Sequence, residues 1–370
     1  MAEESGPTGT SLLSTFVLIL AAMAVLFAAD TFLVKLQQAE DRAEATRLYG
    51  KGRDVMAAGH YPEAAAQFKD AVSVDRQNRE YRMALAGALL AAKDFSEAEQ
   101  TLTTLLQEDS TDGDANLMMA RLLAAEDQPA QAISYYHRAI YGRWTTNPAQ
   151  NQLKVRFELV DLLAKQHTKE ELLAELLPLQ EEAPKDLATR KRIGQLFLSA
   201  GSPARAADVF RQLLHDDPQD ADIYAGLGEA EFGRGNYQTA HADFLEAERL
   251  KPDDRAIRAR VELCEQILAL DPTRRGLSPG DRYQRSLRLV GLALDQVNRC
   301  APPADPAAQQ VRDAADRVLK TKLPASRQSA AIESNLDLAE QLWTAHGRQC
   351  SSTPPASEDA LSLVLAKIAQ

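Results

Sequence analysis

Apolar side chains recur at intervals of three and four almost everywhere after residue 45, and strict apolar–polar alternation is rare. That is the period of a helix, so the chain reads as all-α. Two stretches break the rhythm. Leu12 to Ala29 is an uninterrupted uncharged run of 18 residues, polar only at Ser14 and Thr15. Asp30 interrupts it and Thr31–Val34 extends it. At about 1.5 Å per residue, a helix over 12–36 crosses a hydrocarbon core of about 30 Å. Further on, Asp271–Gly280 is rich in turn residues and separates two helical regions.

The apolar run reads as an uncleaved single-pass anchor following a short tail, residues 1–11. A cleaved signal peptide has a basic leading region, and residues 1–11 contain no Lys or Arg. A small-x-small pattern at Ala22-Met23-Ala24 lies in mid-run, with more apolar sequence after it. Lys35, Arg42, Arg47, Lys51 and Arg53 follow the run. By the positive-inside rule they place the rest of the chain in the cytoplasm.

The helical period after residue 45 is itself repeated. Residues 221–254 read ADIYAGLGEAEFGRGNYQTAHADFLEAERLKPDD. Counting from Ala221, Leu227 is at position 7, Gly228 at 8, Gly235 at 15, Ala240 at 20, Phe244 at 24, Ala247 at 27 and Pro252 at 32. The window 187–220 matches with Ile193, Gly194, Gly201, Ala206, Phe210 and Pro218. The window 153–186 is degenerate, with large Leu172 at the small position 20. Windows 45–78, 79–112 and 113–146 carry the same pattern, for example Gly52, Gly59, Ala64 and Phe68 in the first. Asn147–Gln152 is an insertion between the two blocks of three.

This pattern resembles the tetratricopeptide repeat, a pair of antiparallel helices, A and B. Small residues stand where the helices cross, bulky ones fill the seam, and glycine and proline end the helices. The resemblance implies a right-handed α-solenoid over 45–271, with 255–270 as a seventh A-helix capping six repeats. It also implies protein binding on the concave face, made by set positions of the A-helices. Carried over position by position, these are Tyr49, Arg53, Met83, Arg121, Phe157, Lys191, Gln195 and Glu229. Their mix of aromatic, basic and apolar groups suits a peptide or helix lying in a groove. The Lys/Asn clamp that some of these repeats use for a terminal carboxylate is not matched. Tyr135–Trp144 places four aromatics near the insertion. The reading adopted is packing, with Tyr136 in the core and Tyr141 and Trp144 sealing the joint; the alternative is a peptide contact.

Charge narrows the partners. The chain carries a net −11, of which residues 45–271 hold −10, while residues 272–370 hold +3. An acidic repeat region argues against nucleic acid. The three cysteines, Cys264, Cys300 and Cys350, show no zinc spacing, and no HExxH, GxSxG or phosphate-loop motif is present. No metal, cofactor, small-molecule substrate or catalytic residue is expected.

Beyond the turn-rich break, residues 281–370 read as a small up-down-up helical bundle. Its first helix carries Tyr283, Leu287, Val290, Leu294 and Val297 inward. A second, about 307–321, has Val311, Val318 and Leu319 inward; a third, about 328–346, has Ile332, Leu336, Ala339 and Trp343. A last short helix lies around Leu361–Ile368. In that topology Cys300 and Cys350 fall at one end, where a disulfide or two free thiols are both open. A disulfide would place this part outside the cytoplasm, against the flanking charge.

The function expected is a scaffold anchored in the plasma or inner membrane of a bacterium, gathering other proteins during assembly of a membrane or envelope complex. A fixed structural subunit of such a complex is the alternative, and an enzyme with its site in the C-terminal bundle stands behind both.

Overall fold

The computed structural model describes residues 9–300, 306–349 and 359–369. Among these the chain forms seventeen helices and no strand. It divides into two compact units, Met1–Leu162 and Leu163–Gln370. Cys350 falls outside the described residues, and with it the pairing of Cys300 and Cys350.

The first unit holds α1 (Gly9–Ala57), α2 (Tyr61–Val74), α3 (Arg79–Ala92), α4 (Phe95–Glu108), α5 (Gly113–Ala125), α6 (Pro129–Ile140) and most of α7 (Pro148–Gln166). The apolar run does not end before the repeats. It continues without a break as α1, a helix about 70 Å long, through the first repeat's A-helix. Its N-terminal apolar side chains are uncovered, Phe16 and Phe27 being 65% and 71% exposed. Ala45 is the first buried residue along it among those described. The N-terminal part is long and apolar enough to cross a membrane.

Each A/B pair follows from the crossing residues. A Cβ on Gly52 would stand 2.6 Å from the ring of Phe68, so only glycine lets α1 and α2 approach there. Ala64, Phe68 and Ala71 are buried at this crossing. The A-helices are started by acids and amides at position 34 of the preceding window. Asn78, Asp112, Asp186, Asp220 and Asp254 each accept backbone N–H groups of the helix that follows.

The six-residue insertion is not a loop. Residues 148–152 are the first turns of α7, making it 19 residues long where the other A-helices after α1 have 13 to 16. The joint before it is closed by Trp144, which lies flat against Gly113 and donates its indole N–H to the Ala139 carbonyl at 2.9 Å. Tyr136 is buried. Tyr141, expected to help seal the joint, is instead 76% exposed. Its position just past the C-terminal end of α6 turns it outward, and Arg156 stands over its ring.

The second unit continues with α8 (Lys169–Glu182), α9 (Leu187–Ser199), α10 (Pro203–Asp216), α11 (Ala221–Gly233), α12 (Tyr237–Leu250) and α13 (Arg255–Leu270). Then come α14 (Pro279–Cys300), α15 (Pro306–Lys320), α16 (Ala325–Gln349) and α17 (Ala360–Ile368). The helix after the sixth repeat is not a bare end cap. Ile267 and Leu270 of α13, with Tyr237 of α12, share one core with Leu289, Val290, Leu342 and Val364. Asp271, buried after α13, holds Lys367 of α17 at 2.7 Å.

Val311 and Val318 of α15 and Leu336, Ala339 and Trp343 of α16 face the core as the sequence pattern suggests. Leu319 is exposed, while the small Ala308 and Ala315 are buried. On α16 the buried residues are Asn335, Leu338, Ala339 and Leu342, with Ile332, Leu336 and Trp343 at the margin. Asn335 donates to the Ser286 hydroxyl on α14 at 2.9 Å, a buried polar link between the two helices. Cys264 is fully buried, and burial pushes its thiol up to about 11, which fits an apolar contact rather than a reactive group.

Candidate protein-binding face

The A-helices present the eight side chains on which recognition was expected, and the structure brings four of them into bonds with the next A-helix or its cap. In the first unit, Tyr49 is half-buried, its ring 4.9 Å from that of Tyr81 and its hydroxyl donating to Glu80 at 2.8 Å. Arg79 reaches Asp112 and Asp114. Arg121 grips Glu158 through two hydrogen bonds of 2.8 and 2.6 Å. That carboxylate beside it raises the already high pKa of Arg121. Met83 is buried, so it belongs to the core of this unit. Phe157 is half-buried.

The second unit repeats the device. Lys191 bonds Asp220 at 2.8 Å and stands 3.6 Å from Asp222. The Asp220 hydrogen bond raises its pKa. Arg260 donates to Glu229 at 2.6 Å while its guanidinium lies over the ring of Phe232. Gln195 is exposed.

Of the eight positions, Arg53 and Gln195 are therefore the ones most open to a partner. Arg53 is exposed on α1, its guanidinium 6.0 Å from the Tyr49 ring. Arg121, Lys191 and Glu229 tie neighbouring A-helices together. Their partners Glu158, Asp220 and Arg260 were not named as site residues from the sequence. The signal was present: each pair is 29 to 37 residues apart, close to one repeat. Asp112 and Asp220 serve twice, capping the helix that follows and accepting a cation from the A-helix before it. Among the described residues no cluster of His, Cys, Asp and Glu is arranged to hold a metal ion.

Comparison with known proteins agrees with this architecture. Tetratricopeptide-repeat family profiles match residues 55–122, 89–143 and 191–255. The chain is 28% identical over 243 residues to mouse Superkiller complex protein 3, which covers 62% of this chain but only 15% of the mouse protein. It resembles the crystal structure of PilW, a widely conserved type IV pilus biogenesis factor, at 18% identity and a TM-score of 0.42 over 58% of this chain and 97% of PilW. It also resembles YrrB, a repeat protein with an unusual peptide-binding site, at 17% identity and a TM-score of 0.43 over 53% of this chain and 97% of YrrB. By its paired helices and by these profile matches, the chain carries tetratricopeptide repeats over residues 55–143 and 191–255, repeats that serve as scaffolds for protein–protein interaction.

Proposed function

We propose that this protein is a membrane-anchored scaffold. The apolar start of α1 sits in the bilayer, and the exposed positions of the A-helices hold peptide or helix segments of partner proteins. The observation that carries this reading is α1 itself, in which an uncovered apolar segment and the first A-helix are one continuous helix. Such a helix has no reason to keep Phe16 to Leu36 in water, where each uncovered apolar side chain costs about 1 kcal/mol or more. The basic residues that follow favour the cytoplasmic side for the repeats. A bacterial plasma or inner membrane, and a part in assembling an envelope complex, complete the proposal.

The ion pairs on the A-helix faces favour a second reading. Arg121, Lys191 and Glu229 are engaged within the fold, as they would be in a fixed structural subunit that uses its repeats for shape. One experiment addresses both. Full-length protein and a variant lacking residues 1–36 are expressed, membranes are washed with alkaline carbonate, and associated proteins are recovered from each fraction. The scaffold reading expects the full chain alone in the washed membrane, with partners released by Arg53→Glu and Gln195→Glu together. Recovery of the truncated chain in the washed membrane contradicts the anchor. Partners held in fixed stoichiometry and indifferent to the two substitutions favour the structural subunit.

A further inference from the structure

A cavity of about 550 Å³ lies in the second unit, between the start of α12, the segment after α13, and α17. Arg274 and Arg275 line it and have no acidic partner among the described residues. Lys367 also lines it, but its charge is matched by Asp271 at 2.7 Å. The cavity therefore carries two uncompensated guanidinium groups.

The segment that bears them is fixed at its root. Asp271 is buried and accepts from the Thr273 backbone at 2.8 Å and the Thr273 hydroxyl at 2.6 Å, besides Lys367. Arg285 of α14 donates to the carbonyls of Leu268 and Asp271 from the other side. The two arginines thus leave a braced turn, and less ordering entropy is lost when they engage a ligand. Tyr237, buried behind Lys367, and Leu268 supply apolar wall to the same cavity.

We propose that this cavity is a second binding site, for an acidic peptide segment of a partner protein. Paired guanidinium groups bind carboxylates by parallel hydrogen bonds. A Glu side chain adds a methylene stem that suits the Tyr237 and Leu268 wall, which a bare inorganic anion does not use. The charge layout agrees: residues 272–370 are the basic part of an otherwise acidic chain, so an acidic partner is repelled by the repeats and drawn here. None of the eight A-helix positions lines this cavity.

The test uses the full chain in a neutral detergent and fluorescein-labelled hexaglutamate, read by anisotropy. Saturable binding is expected, weakened about tenfold or more by R274E/R275E and weakened less by R274K/R275K, which keeps the charge but loses the fork. A charge-matched pair in the same unit but outside the cavity, K185E/R205E, is expected to leave it within about twofold. Circular dichroism melts check that each variant is folded. Equal weakening by both reversed pairs, or none by R274E/R275E, overturns the proposal. So does binding of phosphatidylglycerol vesicles through Arg274 and Arg275 without binding of the peptide, which would make this a lipid surface. Arg53→Glu with Gln195→Glu leaves peptide binding intact if the two sites are distinct.

Discussion

Phe210 shows how much of this fold is set by single side chains. Its ring is buried between two glycines of successive A-helices, Gly194 and Gly226. A Cβ on Gly226 would stand 2.4 Å from the ring. Gly226→Ala should therefore destabilise the second unit by about 1–3 kcal/mol, even though alanine is the better helix former. Gly50, inside α1, has nothing within 4 Å of where a Cβ would stand. Gly50→Ala should stabilise by about 0.5–1 kcal/mol. Urea unfolding of the two variants checks the opposite signs. Asp243 gives a pH-dependent case. One of its carboxylate oxygens is enclosed without a hydrogen bond. Burial, helped by the charge of Glu231, pushes its pKa up to about 6. Between the unfolded value and about 6, the folded chain keeps a proton there that the unfolded chain has released. The group costs nothing below that window, and its cost grows as pH rises through it. Asp243→Asn should then raise stability at pH 7 by roughly 1 kcal/mol, allowing for its partial exposure, and do far less at pH 4. Thermal melts at the two pH values read the difference.

At the scale of the element, helix ends decide where the sequence is easy to read. Gly59, Gly201 and Gly235 close A-helices with positive φ, as glycine at position 15 suggests. Lys93, Asp127 and His167 take the same backbone conformation without being glycine, so the turn persists where its signature is lost. The insertion 147–152 shows the reverse. It looks like a loop because it breaks the 34-residue count, yet it lengthens α7, since nothing in its composition after Pro148 forbids helix. Trp144, at the joint before it, fills space against Gly113 and is hydrogen-bonded through its indole. Trp144→Ala should cost the first unit about 3 kcal/mol or more, whereas Tyr141→Ala, at an exposed side chain, should stay within about 0.5 kcal/mol. Denaturant titration of both variants tests this. On α15 and α16 the inward faces were legible apart from Leu319, while the burial of Ala315, Leu338 and Leu342 was not, because a helix covered from two sides has no single seam. Leu338 and Leu342 of α16 share a core with residues of α13, α14 and α17, which periodicity within one helix does not reveal.

At the scale of the whole molecule, the repeats were legible because each is constrained at the same few crossings, and recurrence multiplies a weak signal. The binding face was legible only as positions. The repeat pattern says which residues stand on the A-helices; it does not say that Arg121, Lys191 and Glu229 are taken by ion pairs one repeat away. Those pairs depend on both members of a contact, and only one lies in the pattern. The cavity at Arg274 and Arg275 was invisible for the same reason, since its walls come from α12, the segment after α13, and α17. In the function proposed, the exposed A-helix positions contact partner proteins. A photoreactive phenylalanine analogue placed at residue 53 or 195, with residues 76 and 205 on other exposed surfaces as controls, tests it in the membrane of living cells. Discrete protein adducts from positions 53 and 195, absent from 76 and 205, are predicted. Adducts equal at all four positions, or at none, would contradict it.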